Sequence, residues 1–241
     1  MAGTVFEYPR GWYEFTASKF QLRTVGLTYR PVFRQTQKTS RLIEQFFAAD
    51  YVQKPSRGPS SWQEKEAWFA LLEGDTNYLR ISDPLRCVPL YNRIKANRPQ
   101  PQPFGDGTWF TDGTGWVDGA VPEFATLTAG ALRGDEWATI GGLPESITGL
   151  LNPGDLFEHR PDGIAGAVSR LYQCVSMGHT NEDGVSAVKI RPRWRENVVP
   201  GDQIVFAYPQ AVMQLIDSEQ AMISRDANYG SFGFSCAEHT G

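Results

Sequence analysis

The sequence has few cysteines, and no two of them are close together. Its three cysteines, Cys87, Cys174 and Cys236, are odd in number and far apart. They lack the spacing of a zinc site or a thioredoxin-like redox motif, and we expect reduced, buried thiols. The sequence also lacks the short motifs of a nucleophile elbow, a phosphate-binding loop and a dinucleotide fingerprint. Together these absences argue against an enzyme.

Long apolar runs and basic runs are missing as well. No stretch of about 18 consecutive apolar residues occurs, and the N-terminus has no basic segment followed by an apolar one. We therefore expect neither membrane insertion nor a signal peptide. The formal net charge is −4, and no run of five or more Lys or Arg is present. A nucleic-acid partner is not expected from this pattern.

Glycine, proline and aromatic residues, by contrast, are plentiful. The chain contains 24 Gly, 16 Pro and 7 Trp, which punctuate it often and favour strands over long helices. Its hydrophobic fraction of 41% is enough for one large or two small cores. The composition predicts a mainly β protein with one short helix.

The pattern around residue 65 predicts that helix. Pro59 is followed by Ser61 and Glu64, the spacing of a capping box, and Gly74 is placed to end the helix. An apolar stripe suited to packing on a sheet is formed by Trp62, Trp68, Phe69, Leu71 and Leu72.

Alternation between apolar and polar residues predicts the strands. The segments concerned are residues 20–51, 78–81, 170–177, 185–190, 212–216 and 229–236. Asp83-Pro84 and residues 181–184 are turn signals between them. Residues 107–119 are rich in aromatic and Asp-Gly sequence, which is typical of hairpin edges. Pro153-Gly154 and Pro200-Gly201 form a near-repeat, each a turn that begins a strand.

A segment rich in Pro, Asn and Gln separates two expected domains. Residues 96–104 lack apolar periodicity and are interpreted as a connector. We expect residues 1–95 and 206–241 to form one domain, because the closing strands need partners from the first part of the chain. Residues 105–205 would then form an inserted, small antiparallel barrel. Two domains in simple tandem remain the alternative.

Four tryptophans are the candidate site residues. Trp109, Trp116, Trp137 and Trp194 all lie in the expected inserted domain, where an exposed aromatic platform would stack on sugar rings. Packing in a core or at a subunit interface is the commoner use of Trp, so both readings stay open. We assign no catalytic, cofactor-binding or metal-binding residue and expect no cofactor.

Other polar groups receive less specific interpretations. The three histidines lack the spacing of metal ligands and are expected at the surface; they are His159, His179 and His239. Evenly spaced aspartates are better explained by Asp-Gly turns than by calcium; they are Asp106, Asp112 and Asp118. Three cations flank an aromatic residue in segment 191–195, which suits phosphate, cation-π or subunit-interface contacts; they are Arg191, Arg193 and Arg195.

The order of these features along the chain carries a family resemblance. Aromatic-rich strands lead to the helix and Leu72-Glu73-Gly74, a strand ending in Asp83-Pro84, the Asp-Gly segment, the Pro153-Gly154-Asp155 turn, Ile190-Arg191-Pro192-Arg193-Trp194-Arg195, and Tyr208-Pro209 before the closing strands. From about residue 21 to the C-terminus, this order resembles the distal tail and related tail-tip proteins of siphophages.

The resemblance implies a structural virion protein. The family has a β-sandwich core that forms a homohexameric ring around the tail channel, and an outer barrel of OB-like or galectin-like type. The implied partners are further copies of the chain, the tail tube protein, the tape-measure protein, and the baseplate hub and fibre proteins. The implied location is the virion tail tip after assembly in the host cytoplasm. The alternatives are a carbohydrate-binding module that contacts host glycans and a hydrolase that degrades the host wall.

Overall fold

The computed structural model describes residues 3–29, 38–57, 59–73, 76–96, 120–163, 169–216, 223–226 and 229–239. The chain divides into two compact units, of which the first comprises Met1–Leu85 and Gln210–Gly241 and the second Arg86–Pro209. The first unit is therefore discontinuous in sequence. Its limits differ from the expected ones, which fell after residue 95 and before residue 206, because residues 86–96 and 206–209 belong to the second unit.

The described residues of the first unit form eight strands. They are β1 (Val5–Glu7), β2 (Phe15–Tyr29), β3 (Lys38–Gln53), β4 (Ser56–Arg57), β5 (Tyr78–Ser82), β12 (Gln210–Leu215), β13 (Ile223–Asp226) and β14 (Tyr229–Glu238). The main sheet has the order β1-β5-β12-β14-β3-β2, and β4 and β13 also pair with β14. β1 pairs with β5 in parallel, whereas the other pairs are antiparallel. The last strands of the chain therefore lie in the middle of this sheet.

Helix α1 (Pro59–Ala70) packs on the sheet as predicted. The ring of Phe69 lies 4.4 Å from that of Phe232 on β14. The helix begins at Pro59, which is favoured at a first helical position, so Ser61 lies inside the first turn and is not the N-cap. Leu72 is buried, but Leu71 is 52% exposed and leaves the predicted stripe. Gly74 lies outside the described residues.

The second unit contains a closed six-stranded barrel. Its strands are β6 (Phe124–Leu127), β7 (Trp137–Gly141), β8 (Leu156–Arg160), β9 (Arg170–Cys174), β10 (Ser186–Arg191) and β11 (Gln203–Val205), in the order β10-β7-β6-β11-β8-β9. All neighbouring pairs are antiparallel. The prediction of a mainly β chain with a β-sandwich type core and a small barrel is confirmed. This closed six-stranded barrel differs from an OB-fold barrel, which has about five strands and is partly open.

The described residues contain one α-helix more than predicted. Helix α2 (Leu90–Ala96) lies in the second unit, where residues up to 95 were expected in the first. Its contacts explain why so short a helix forms. Asn92 exchanges two hydrogen bonds of 2.8 Å with the backbone of Val121, and the Leu90 N–H donates to Asp155 Oδ1 at 2.7 Å. Short 3-10 helices occupy Arg10–Trp12 and Pro161–Gly163.

Several predictions fall on parts of the chain that the structure does not describe. These are the connector beyond residue 96 and the Asp-Gly segment of residues 107–119, with Trp109, Trp116, Asp106, Asp112 and Asp118. Within the described part, no helix has the length and apolar character needed to cross a membrane.

Candidate functional site

The two described candidate tryptophans have opposite environments. Trp137, at the start of β7, is 53% exposed, whereas Trp194 is 1% exposed and belongs to the barrel core. For Trp194 the interpretation as a core residue is therefore confirmed, and the interpretation as part of a surface platform is wrong. Its indole lies against the interior ring of Tyr172, with centroids 4.5 Å apart. This core is formed by apolar and aromatic residues spread over segment 121–206. Trp194 is buried among them because its large apolar surface is more stable in a core than in water.

Trp194 nevertheless supports the exposed indole from within. Its Nε1–H donates to the backbone carbonyl of Trp137 at 2.8 Å. Trp137 is also opposite Lys189 in the antiparallel β7–β10 ladder. The backbone that carries the exposed indole is therefore fixed by a ladder pair and by a bond from the core.

A four-residue ion cluster lies beside Trp137. Glu136 accepts Lys189 Nζ at 2.9 Å and Arg191 Nη2 at 2.7 Å, and Arg193 Nη2 lies 3.5 Å away. Arg191 and Arg193 were recognised in the sequence as cations, but neither Glu136 nor Lys189 was connected with them. The cluster joins positions about 50 residues apart through the β7–β10 register, which the sequence pattern alone does not give.

The cluster keeps the Glu136 carboxyl ionised. Hydrogen bonds from Lys189 and Arg191 lower the pKa of Glu136 from its ordinary value of 4.5 to about 2, although desolvation acts in the opposite direction. At neutral pH the group is therefore a carboxylate surrounded by three cations. Since two cations contact it closely, Arg193 is the least tightly held of the three.

A pocket of about 450 Å³ opens next to this cluster. Its polar lining comes from Asp135, Glu136, Thr139 and Arg193, and its aromatic lining from Trp137. The remaining lining residues are small and leave the space unfilled; they are Gly130, Ala131 and Gly134. An exposed indole, a guanidinium and two carboxylates therefore surround one concave surface.

His159 was expected at the surface, but it is 1% exposed in the barrel. Its Nε2 lies 2.9 Å from Asp202 Oδ2, and its Nδ1 lies 3.5 Å from Glu196 Oε1. It follows Phe157 by two positions on β8, so both side chains point to the same face of the strand. That period-two relation is the signal in the sequence that could have placed it inside. The other two histidines are less buried than His159.

The surroundings of His159 suit a structural role. Asp202 also accepts the Val199 N–H at 3.0 Å, so the carboxylate joins the histidine to the turn before β11. The rings of Trp194 and Tyr172 pack edge-on against the imidazole. Among the described residues, no group of three or more His, Cys, Asp or Glu is arranged to hold a metal ion.

The near-repeat of the sequence corresponds to two turns with the same construction. Gly154 and Gly201 each have a φ of +99°, which glycine adopts without strain. In the first turn the Asn152 N–H donates to Asp155 Oδ2 at 2.8 Å, the equivalent of the Val199 bond to Asp202. Each aspartate is buried, and each turn leads directly into a strand, β8 or β11. The prediction of two strand-initiating turns is confirmed.

The cysteines are free thiols, as expected, and two of them are buried. Burial raises the pKa values of the Cys174 and Cys236 thiols, which disfavours the reactive thiolate. Cys87 is half-buried and departs from the expected burial.

No protein-family model matches this sequence, and no curated protein matches it.

Proposed function

We propose that this chain is a structural protein of a long-tailed phage, a distal tail protein that forms a ring joining the tail tube to the baseplate hub and fibres. The proposed role uses surfaces and does not require catalysis. Its partners are further copies of the chain, the tube protein, the tape-measure protein, and the hub and fibre proteins. The proposed location is the virion tail tip.

One observation carries the proposal: a sheet unit is interrupted by a complete barrel. β12 and β14, which follow the barrel in the chain, lie between β5 and β3 in the main sheet. The Gly233–Val52 and Met213–Leu79 pairings connect the last segment with the first. A sheet core with an inserted barrel is the architecture implied by the resemblance to siphophage tail-tip proteins.

The ends of the main sheet offer surfaces for assembly. Among the described residues, β2 pairs with β3 on one side and with no strand on the other. Between the register shifts at Phe15/Ala17 and Val25/Leu27, its pairing is regular. The opposite end of the sheet is β1. A contact between two different edges is heterologous, and it closes into a ring when the rotation permits.

Negative-stain imaging of the purified full chain tests this function. We expect closed rings of uniform diameter with sixfold symmetry. Single particles of one chain, or open filaments, would contradict the proposal.

A further inference from the structure

The surface of the barrel around Trp137 has the composition of a ligand site that ring assembly does not require. The indole of Trp137 is 53% exposed, whereas tryptophan side chains are on average highly buried. A lone exposed aromatic residue would carry no argument. Here, however, the indole lines a concave pocket together with charged side chains.

The open volume comes from the segment before β7. Gly130 and Gly134 have no side chains to fill the space, and Ala131 has only a methyl group. The segment itself is held firmly: Ala131 N–H donates to the Val198 carbonyl at 3.2 Å, and Gly134 N–H donates to the Trp194 carbonyl at 2.8 Å. The pocket is therefore preformed, which lowers the entropic cost of binding.

Arg193 is the cation available to a ligand in this pocket. Its side chain is 46% exposed and lies 3.5 Å from Glu136. Its Nη1 reaches the Gly134 carbonyl at 3.4 Å. Both contacts are long, and a guanidinium has about five N–H donors in a planar fork suited to acidic groups. The guanidinium of Arg193 can therefore pair with an acidic ligand without breaking a short hydrogen bond within the protein.

The charges around the pocket favour an anion. The pocket is lined by the carboxylates of Asp135 and Glu136 and by the guanidinium of Arg193. Lys189 and Arg191 are not lining residues, but their contacts with Glu136 offset its charge. One carboxylate oxygen of Asp135 already has a hydrogen-bond partner, because Oδ2 accepts the Leu132 N–H at 2.9 Å. When Lys189 and Arg191 are counted with the three charged lining residues, the five groups have an excess of one positive charge. That is too few for a nucleic-acid backbone, which is held by about 6–10 cations. One acidic substituent on a small ligand matches it.

We propose that this pocket binds an acidic saccharide. One sugar ring stacks on the indole of Trp137, and the acidic substituent of the ligand pairs with the guanidinium of Arg193. The apolar face of a pyranose ring complements an indole, while its hydroxyls can bond Thr139 and Asp135 at the rim. A pocket of about 450 Å³ accommodates roughly one or two rings.

An array of neutral, carboxylated, sulfated and phosphorylated glycans, probed with the full chain, tests the proposal. We expect acidic glycans to bind above their neutral counterparts, and the array also identifies which acidic group is preferred. Titration calorimetry with the best acidic glycan then compares variants. Trp137→Ala and Arg193→Gln should each weaken binding about tenfold or more, roughly 1.4 kcal/mol per factor of ten. Trp137→Phe, which keeps an aromatic face, should restore part of the affinity.

Met177→Ala is the matched control, because Met177 is 50% exposed on the same barrel and does not line the pocket. It should leave the affinity unchanged, and circular dichroism checks that every variant is folded. Equal binding of neutral and acidic glycans, no glycan binding, or unchanged affinity in folded Trp137→Ala and Arg193→Gln would overturn the proposal. The ring experiment is independent, since a chain that forms rings can lack this affinity.

Discussion

Burial separates the two described candidate tryptophans, Trp137 and Trp194, into different kinds of residue. Trp194 fills the barrel, packs against Tyr172 and donates to the Trp137 carbonyl, whereas Trp137 presents its indole to solvent. Their close spacing in the fold therefore does not give them a common role. One fixes the scaffold, and the other is available to a ligand.

Truncation of the two indoles should separate these roles. We expect Trp194→Ala to destabilise the barrel by about 3–5 kcal/mol, because it removes a fully buried side chain. Trp137→Ala should change the stability of the barrel by less than about 1 kcal/mol, as substitutions of exposed side chains usually do. Amide hydrogen exchange in β10 measures the barrel without assuming that both units unfold together. Equal losses of protection in the two variants would contradict the assignment.

Because Glu136 is ionised in the ion cluster, the stability of the fold should depend on pH between about 4.5 and 2. Its folded pKa of about 2 lies below the ordinary value of 4.5, so the carboxylate stabilises the fold above about pH 4.5. That stabilisation is lost as the pH falls toward 2. The difference in melting temperature between the natural chain and Glu136→Gln should therefore be constant near neutrality, shrink below pH 4.5 and disappear near pH 2. A difference that does not change with pH would be inconsistent with the ion cluster.

At the scale of elements, sequence motifs predicted the structure well where a single short segment determines the local conformation. The Pro-Gly turns before β8 and β11 and the β9–β10 hairpin needed no long-range information. The β6 and β7 strands were missed because their sequences, Phe124–Leu127 and Trp137–Gly141, have little periodic pattern. α2 was missed because its stability comes from Val121 and Asp155, which lie far along the chain.

The turn before β11 should depend on the conformational freedom of Gly201. A Cβ at this position would meet no atom within 4 Å, so only the backbone φ of +99° opposes a side chain. Gly201→Ala should destabilise the barrel by about 1 kcal/mol or more. Gly11→Ala is the control, because it also has open space but no such φ. Thermal melting compares the two; equal melting temperatures would argue against strain at the turn.

The free edge of β2 is the element on which assembly is proposed to depend. Thr24 is opposite Gln45 in the β2–β3 ladder, and the backbone N–H groups of β3 alternate, with that of Phe47 directed to β14. The N–H of Thr24 therefore points to the outer edge, and Thr24→Pro removes it without breaking a bond to β3, so it should weaken pairing with a second chain. Thr24→Val is the matched control, because it keeps the N–H and suits a strand. Light scattering should show smaller particles for Thr24→Pro alone, while circular dichroism reports whether the strand content is kept. Rings of unchanged size in Thr24→Pro would exclude this edge from the interface.

At the scale of the whole molecule, the sequence predicted a mainly β chain with a small barrel. Composition and turn signals suffice for that class. The ion cluster around Glu136 and the buried pair of His159 and Asp202 could not be predicted, because each depends on which strands become neighbours. The pocket beside Trp137 has the same origin, since Arg193 and Asp135 meet there only after the barrel has closed.

The central claim is that copies of this chain form a closed ring, and the mass of the assembled particle tests it most directly. Native mass spectrometry of the purified full chain over a range of concentrations should give a species six times the 26.9 kDa of one chain. This species should persist on dilution without intermediate sizes that grow continuously. A single species of 26.9 kDa at every concentration would contradict the account.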